Sequence, residues 1–293
     1  MVYIDVTMRT AIFLVFTAAA FSQDFSKIAI EKVAGGFTFT EGPVWSRDNY
    51  LLFSDVPDNK IWRLANDGKH VYRDASNGAN GNTFDHQGRL YTCESKSRRV
   101  TRTDKKGAIE VLADKFEGKR LNAPNDIVVR KDGNVYFTDP AFGAQADRRE
   151  LDFYGIYHSP TKGPIELIAK TPGRPNGIAL SPNGRLLYVA DSDDRIIRVF
   201  DVASTGKATN GRTLISQIDG PPDGIRTDEK GQIWVTCNNV AIYSPDGKFV
   251  GKIDFPETPR NLTFGDGDFS TLFVTAQKSV YKVVLDIKGS VQY

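Results

Sequence analysis

Cysteine is almost missing from this chain: among 293 residues only Cys93 and Cys237 occur, too few for a disulfide framework. Histidine is nearly as scarce. His70, His86 and His158 stand apart from each other and from both cysteines, which excludes the His/Cys spacing of a zinc finger. No Gly-x-Ser-x-Gly elbow occurs, so a Ser-His-Asp hydrolase site has neither its nucleophile turn nor a placed histidine. Glycine-rich pieces such as Asn77-Gly78-Ala79-Asn80-Gly81 lack the strand–helix setting of a phosphate loop. Charge of one sign is lacking too. The 38 basic and 36 acidic residues leave a formal net charge of +2. Pairs such as Arg98-Arg99 and Lys105-Lys106 are isolated, so there is no basic stripe for nucleic acid.

Long apolar runs are equally rare. The one candidate, Ala11–Ala20, follows Met8-Arg9 and gives way to Ser22-Gln23-Asp24. It is shorter than the roughly 20 residues that span a bilayer. Its basic start, apolar middle and small-residue end read as a secretory signal. Residues 1–22 are therefore expected to be a signal peptide cleaved between Ala20 and Asp24. That leaves a secreted or periplasmic protein, free of the membrane once cleaved, with residues 23–293 as a single domain.

What is abundant is repetition. Six segments align at their first residues: Glu41-Gly42-Pro43, Asn80-Gly81-Asn82, Asn125-Asp126-Ile127, Asn176-Gly177-Ile178, Asp223-Gly224-Ile225 and Arg260-Asn261-Leu262. Each runs into a turn such as Asp132-Gly133 or Asn183-Gly184 and then a returning apolar strand, which is hairpin patterning. A third strand follows in every unit and a fourth in five of them. The sixth unit reaches Tyr293 without one, while a strand-like segment, Lys27–Val33, stands spare at the other end. The fold class is all-β: a six-bladed β-propeller with four-stranded blades, its ring closed by the N-terminal strand.

First strands of propeller blades line the axis, so the six leading residues are expected at one mouth of the pore. Glu41, Asn125, Asn176 and Asp223, with Asn80, give oxygen donors of the kind calcium or magnesium takes. Asp or Asn before Gly is also an ordinary turn former. A second ring lies fourteen or fifteen residues on: Asp55, Glu94, Asp139, Asp191 and, in the fifth unit, Cys237. Two strands of about seven residues return the chain to the end it left, so these side chains share that mouth, either as further ligands or as acceptors for turn backbones. The sequon Asn261-Leu262-Thr263 falls in an inner strand, poorly placed for glycosylation.

At these same residues the chain resembles the gluconolactonase and regucalcin-like (senescence marker protein) family. The resemblance runs through Thr40–Trp45, Asn122–Asp126 with Tyr136–Pro140, Arg174–Ala179 and Pro222–Ile225. It implies a metal-dependent hydrolase that opens a sugar lactone, a small-molecule substrate, with no obligate protein partner evident. It implies one divalent metal, calcium before magnesium, manganese or zinc, held by Glu41, Asn176 and Asp223. Asn125 touches metal or substrate, and Asp223 is the general acid/base. Where some members carry a substrate-binding arginine two residues before Asn125, this chain has Ala123; Arg120 or Arg174 is the replacement, and Arg120 is taken as substrate-binding. Two other readings stay open: hydrolysis of a related small ester, and a non-catalytic, metal-stabilised propeller that binds a protein or glycan.

Overall fold

The computed structural model describes residues 24–291. The signal segment lies outside these residues. Six antiparallel four-stranded sheets follow one another around an axis. Blade 1 consists of Thr40–Ser46, Tyr50–Asp55, Lys60–Ala65 and Gly68–Arg73. Blade 2 opens at Ala79–Phe84, blade 3 at Ile127–Val129, blade 4 at Pro175–Leu180, blade 5 at Ile225–Thr227 and blade 6 at Pro259–Gly265. Each inner strand touches the inner strands of both neighbours, and blade 6 meets blade 1, so the ring closes. No helix among the described residues is long and apolar enough to cross a membrane.

The fourth strand of blade 6 comes from the N-terminus, as the repeat predicts. It is Glu31–Gly35, paired antiparallel with Ser279–Val284 in the register Glu31↔Lys282 to Gly35↔Ser279. This strand lies later than the expected Lys27–Val33. Phe25–Lys27 instead forms a 3-10 turn, in which the Asp24 carboxylate accepts the Ser26 N–H. Closure removes an exposed edge from the last sheet.

Why such sequences form blades is visible in the packing. There are six apolar clusters, and each lies between two adjacent blades. Successive side chains of a strand point to opposite faces. Val135 and Phe137 therefore pack toward blade 2, while Tyr136 between them packs toward blade 4. Both faces of an inner or middle strand are buried, so its sequence reads as a continuous apolar run, whereas the outermost strand Gly68–Arg73 is largely exposed.

Hydrogen bonds tie the blades together at the axis as well. The hydroxyls of Ser54, Thr138 and Thr236, in second strands, donate to the carbonyls of Asn80, Asn176 and Arg260 in the following blades at 2.8, 2.7 and 2.6 Å. The N–H groups of Gly81, Gly177 and Gly224 donate to Asn125, Asp223 and Arg260 carbonyls at 2.7, 2.9 and 2.8 Å. Glycine is required for this approach: a Cβ at Gly177 would lie 2.2 Å from the Asp223 carbonyl oxygen, and one at Gly42 would lie 1.9 Å from that of Asn80. The glycines that follow Glu41, Asn80, Asn176 and Asp223 are thus contacts between blades and not only turn formers.

Candidate active site at the pore mouth

All six leading residues line one cavity of about 510 Å³: Glu41, Asn80, Asn125, Asn176, Asp223 and Arg260. One comes from each blade, at or just before its inner strand, and for all but Glu41 the backbone carbonyl is fixed by the inter-blade bonds described above. Phe39 and Val56 form part of the wall, and Phe142–Gln145, at the start of a 3-10 segment, covers one side.

Glu41 is buried, and its Oε2 accepts from the Gly42 N–H at 3.1 Å and from Asn261 Nδ2 at 3.4 Å, both neutral donors. Burial pushes its carboxyl well above the usual range, and the charges of Asp223 and Asp126 push it further. Burial likewise raises Asp223 to about 7; the Arg260 guanidinium opposes the shift and Asp126 adds to it. Desolvation and like charge both disfavour ionised carboxylates, so this mouth gathers negative charge that the protein alone balances poorly. Asn176 is held by Ser192, whose Oγ lies 3.1 Å from Asn176 Nδ2 and donates in turn to the Pro222 carbonyl. The Asn80 Oδ1 is buried without a hydrogen-bond partner.

The second ring behaves differently. Asp55 accepts the N–H groups of Thr38 and Phe39 at 2.9 and 3.0 Å. Asp139 accepts those of Asn122 and Ala123 at 2.7 and 2.8 Å, and burial raises it to about 7. Glu94 is gripped by Arg73 and Arg99, and Asp191 by Arg198. None of the four lines the cavity. Their oxygens are spent on loop backbones and arginines, the role as backbone and turn acceptor and not that of further ligand.

Arg120 is not where a substrate-binding role requires it. It is exposed, its guanidinium donates to the Ser97 carbonyl at 2.7 Å and its N–H to Glu150, and it does not line the cavity. The short pairing Lys115–Phe116 with Lys119–Arg120 carries it to the rim. Arg174 also stays outside, paired with Asp193 and stacked over Phe142 at 4.6 Å. The arginine in the cavity is Arg260.

Two further residues escaped the sequence reading as site components. In the column after the leading residue, four blades carry glycine, while blades 3 and 6 carry Asp126 and Asn261. Both are buried beneath the cavity, and both accept the next residue's N–H, at 2.9 and 2.8 Å. Facing glycines make room for them: a Cβ at Gly81 would meet Asp126 Oδ1 at 2.5 Å, and one at Gly224 would meet Asn261 Oδ1 at 2.4 Å. Asp126 is paired from below with Arg226 at 3.5 Å. The signal was legible, since two polar residues interrupt a glycine column in opposite blades. The buried Asn261 also removes its sequon from solvent.

Against this geometry the comparisons fall into place. The family model described as SMP-30/Gluconolactonase/LRE-like region matches residues 39–278. The chain belongs to this family. A gluconolactonase of Zymomonas mobilis is 33% identical over 288 residues, covering 87% of this chain and 80% of the relative. The solved structure of a gluconolactonase from Xanthomonas campestris is similar with a TM-score of 0.82 at 33% identity, over 89% of this chain and 91% of that one. A calcium-binding regucalcin of Agrobacterium tumefaciens has the same fold, with a TM-score of 0.77 at 20% identity over 90% and 96% of the two chains. The matched family region holds all six leading residues.

Proposed function

We propose that the protein is an exported, metal-dependent hydrolase that opens a sugar lactone. The observation that carries this reading is a pair of carboxylates, buried Glu41 and largely buried Asp223, lining an oxygen-rich cavity in which Arg260 is the only lysine or arginine among the described residues. The gluconolactonase relatives support the substrate class, and the relative described as calcium-binding supports a divalent cation. Export rests on the apolar run Ala11–Ala20; the mature protein's mass should place its first residue after Ala20.

The residues fit a cation. Among the described residues no three His, Cys, Asp or Glu side chains form a ready cage, so the set mixes two carboxylates with amides. Glu41, Asn176 and Asp223 would hold the ion, with Asn125 reaching ion or substrate, and the partnerless Asn80 Oδ1 adds an acceptor. Carboxylate and carbonyl oxygens of this kind suit calcium. When bound, the ion would polarise the lactone carbonyl and balance the charge that develops on its oxygen.

The chain's own residues do the rest. Asp223 lines the cavity beside the place of the expected ion, as a general base must. It takes a proton from the attacking water and returns it to the ring oxygen as the acyl C–O bond breaks. Asn125 orients the lactone, and Phe39, Val56 and Phe142 shield the site from bulk water. A panel of aldonolactones, assayed with and without a chelator, tests the proposal. Hydrolysis that chelation abolishes is expected; intact metal binding with no turnover of any lactone would favour the non-catalytic propeller.

A further inference from the structure

Arg260 differs from the other five residues that open the blades, and its surroundings point to a ligand. Its backbone is fixed, since its carbonyl accepts from the Gly224 N–H and the Thr236 hydroxyl at 2.8 and 2.6 Å. Its guanidinium is held less tightly. It lies over the Phe39 ring, 5.2 Å from the centroid, and its Nη1 stands 3.9 Å from Asp223 Oδ2, beyond hydrogen-bond length. Its Nε is buried with no hydrogen-bond partner. Burying that donor unpaired is unfavourable, whereas the side chain as a whole stays 30% exposed at the cavity it lines, where its terminal nitrogens can meet a ligand. Among the described residues lining that cavity, Arg260 is the only lysine or arginine, and it shares the space with Glu41 and Asp223.

Lactone hydrolysis creates the matching need. The water oxygen bonds to the acyl carbon, the ring C–O bond breaks, and the ring oxygen leaves with a proton as a hydroxyl. The new carboxyl group then loses its proton to solvent at neutral pH. A neutral substrate has become a monoanion inside a cavity already lined by carboxylates. Resting on the lactonase reading, we propose that Arg260 receives the carboxylate of the ring-opened hydroxy acid through its two terminal nitrogens. A guanidinium fork matches a carboxylate in this two-bond fashion. Arg260 thereby sets the balance between neutral lactone and anionic product, and the site binds open-chain sugar acids as ligands in their own right.

Calorimetric binding of D-gluconate and of its neutral analogue D-gluconamide tests this, using the full mature chain, metal-saturated and again after chelation. Melting curves establish that each variant is folded. Arg260→Gln should weaken gluconate binding on the order of 10- to 100-fold, as loss of charge-assisted hydrogen bonds does, and gluconamide binding far less. Arg260→Lys keeps the charge and loses the fork; it should fall between the two and supplies the same comparison if the glutamine variant does not fold. Equal losses for both ligands, unchanged gluconate affinity in a folded variant, or a wild type that binds neither would each overturn the assignment. Binding needs no turnover. A chain that binds gluconate through Arg260 but hydrolyses no lactone would sink the proposed function alone, and an active lactonase indifferent to Arg260→Gln would sink this inference alone.

Discussion

Two sets of carboxylates largely withdrawn from solvent occupy this propeller, alike in residue type and far apart in role. Asp55, Asp139, Asp191 and Glu94 close the hairpins, and each is met by donors from backbone or arginine. Glu41 and Asp223 open their blades; Glu41 meets one N–H and one amide, and Asp223 has the Asn176 side chain and, at 3.9 Å, Arg260. A raised pKa does not distinguish them, since burial raises Asp139 to about 7 just as it raises Asp223. What distinguishes them is whether the oxygens already have partners. A fully bonded carboxylate holds the fold, and on the proposed reading an under-bonded one facing the cavity is kept for a ligand.

The largest test of that contrast is Asp223→Asn. It keeps the shape and one oxygen but removes the base, so turnover of a lactone at saturating metal should fall by about 10²–10⁴. Near-normal turnover would place the base elsewhere. Glu41→Gln should act on the cation instead: affinity measured by calorimetry weakens by about tenfold or more, the worth of one charge-assisted contact, and activity partly returns when metal is in excess.

The pH dependence sharpens the same point. Burial raises Asp223 to about 7, so below that pH its proton must be displaced before a cation binds. Cation affinity should therefore fall as pH drops below about 7, by up to about tenfold per unit for one displaced proton. In the metal-free protein the sign for stability is opposite. The native state holds a proton there that the unfolded chain has lost, so stability falls as pH rises from the ordinary carboxylate range toward 7. A metal-free melting temperature that instead rises across this window would contradict the assignment.

Asp139→Asn should behave as a fold mutation. Its amide nitrogen cannot accept the Asn122 or Ala123 N–H, leaving one buried donor unpaired at about 1–3 kcal/mol. At roughly 2–4 °C per kcal/mol for a chain of this size class, the melting temperature should drop by several degrees. Turnover per folded molecule should fall far less than in Asp223→Asn. The smallest effect concerns the thiols. Cys237 stands at the second-ring place in blade 5, and it and Cys93 are free and buried, with burial raising both. Native protein should react slowly with thiol reagents, and the denatured, unreduced chain should yield two thiols; a count of zero would mean they are bridged.

Much of this architecture was legible in the residues. The repeat of a polar leading residue, turn and apolar strand set the number of blades, because each unit must bury both faces against its neighbours. The shortage of a strand after Ser279–Val284 and the spare one near the N-terminus dictated ring closure. The six leading residues could be assigned to one mouth because the first strands of blades line the axis, and hairpin length brought the second ring to the same end. Less legible were the two acidic rings, which spacing placed together without saying whose oxygens were already bonded. Arg120 misled because it lies close to Asn125 in sequence, whereas the short strand pairing at Lys115–Arg120 turns it outward.

The sequence by itself determined the periodicity, and with it the blades, the axis and the identities of the residues around the mouth. These follow from local patterning that repeats six times. Only the tertiary structure decided which polar atoms remain unsatisfied there. Partners such as Ser192 for Asn176, Asn261 for Glu41 and Arg260 beside Asp223 come from different parts of the chain or different blades. Whether a buried charge is matched depends on those meetings in space, and no local pattern encodes them.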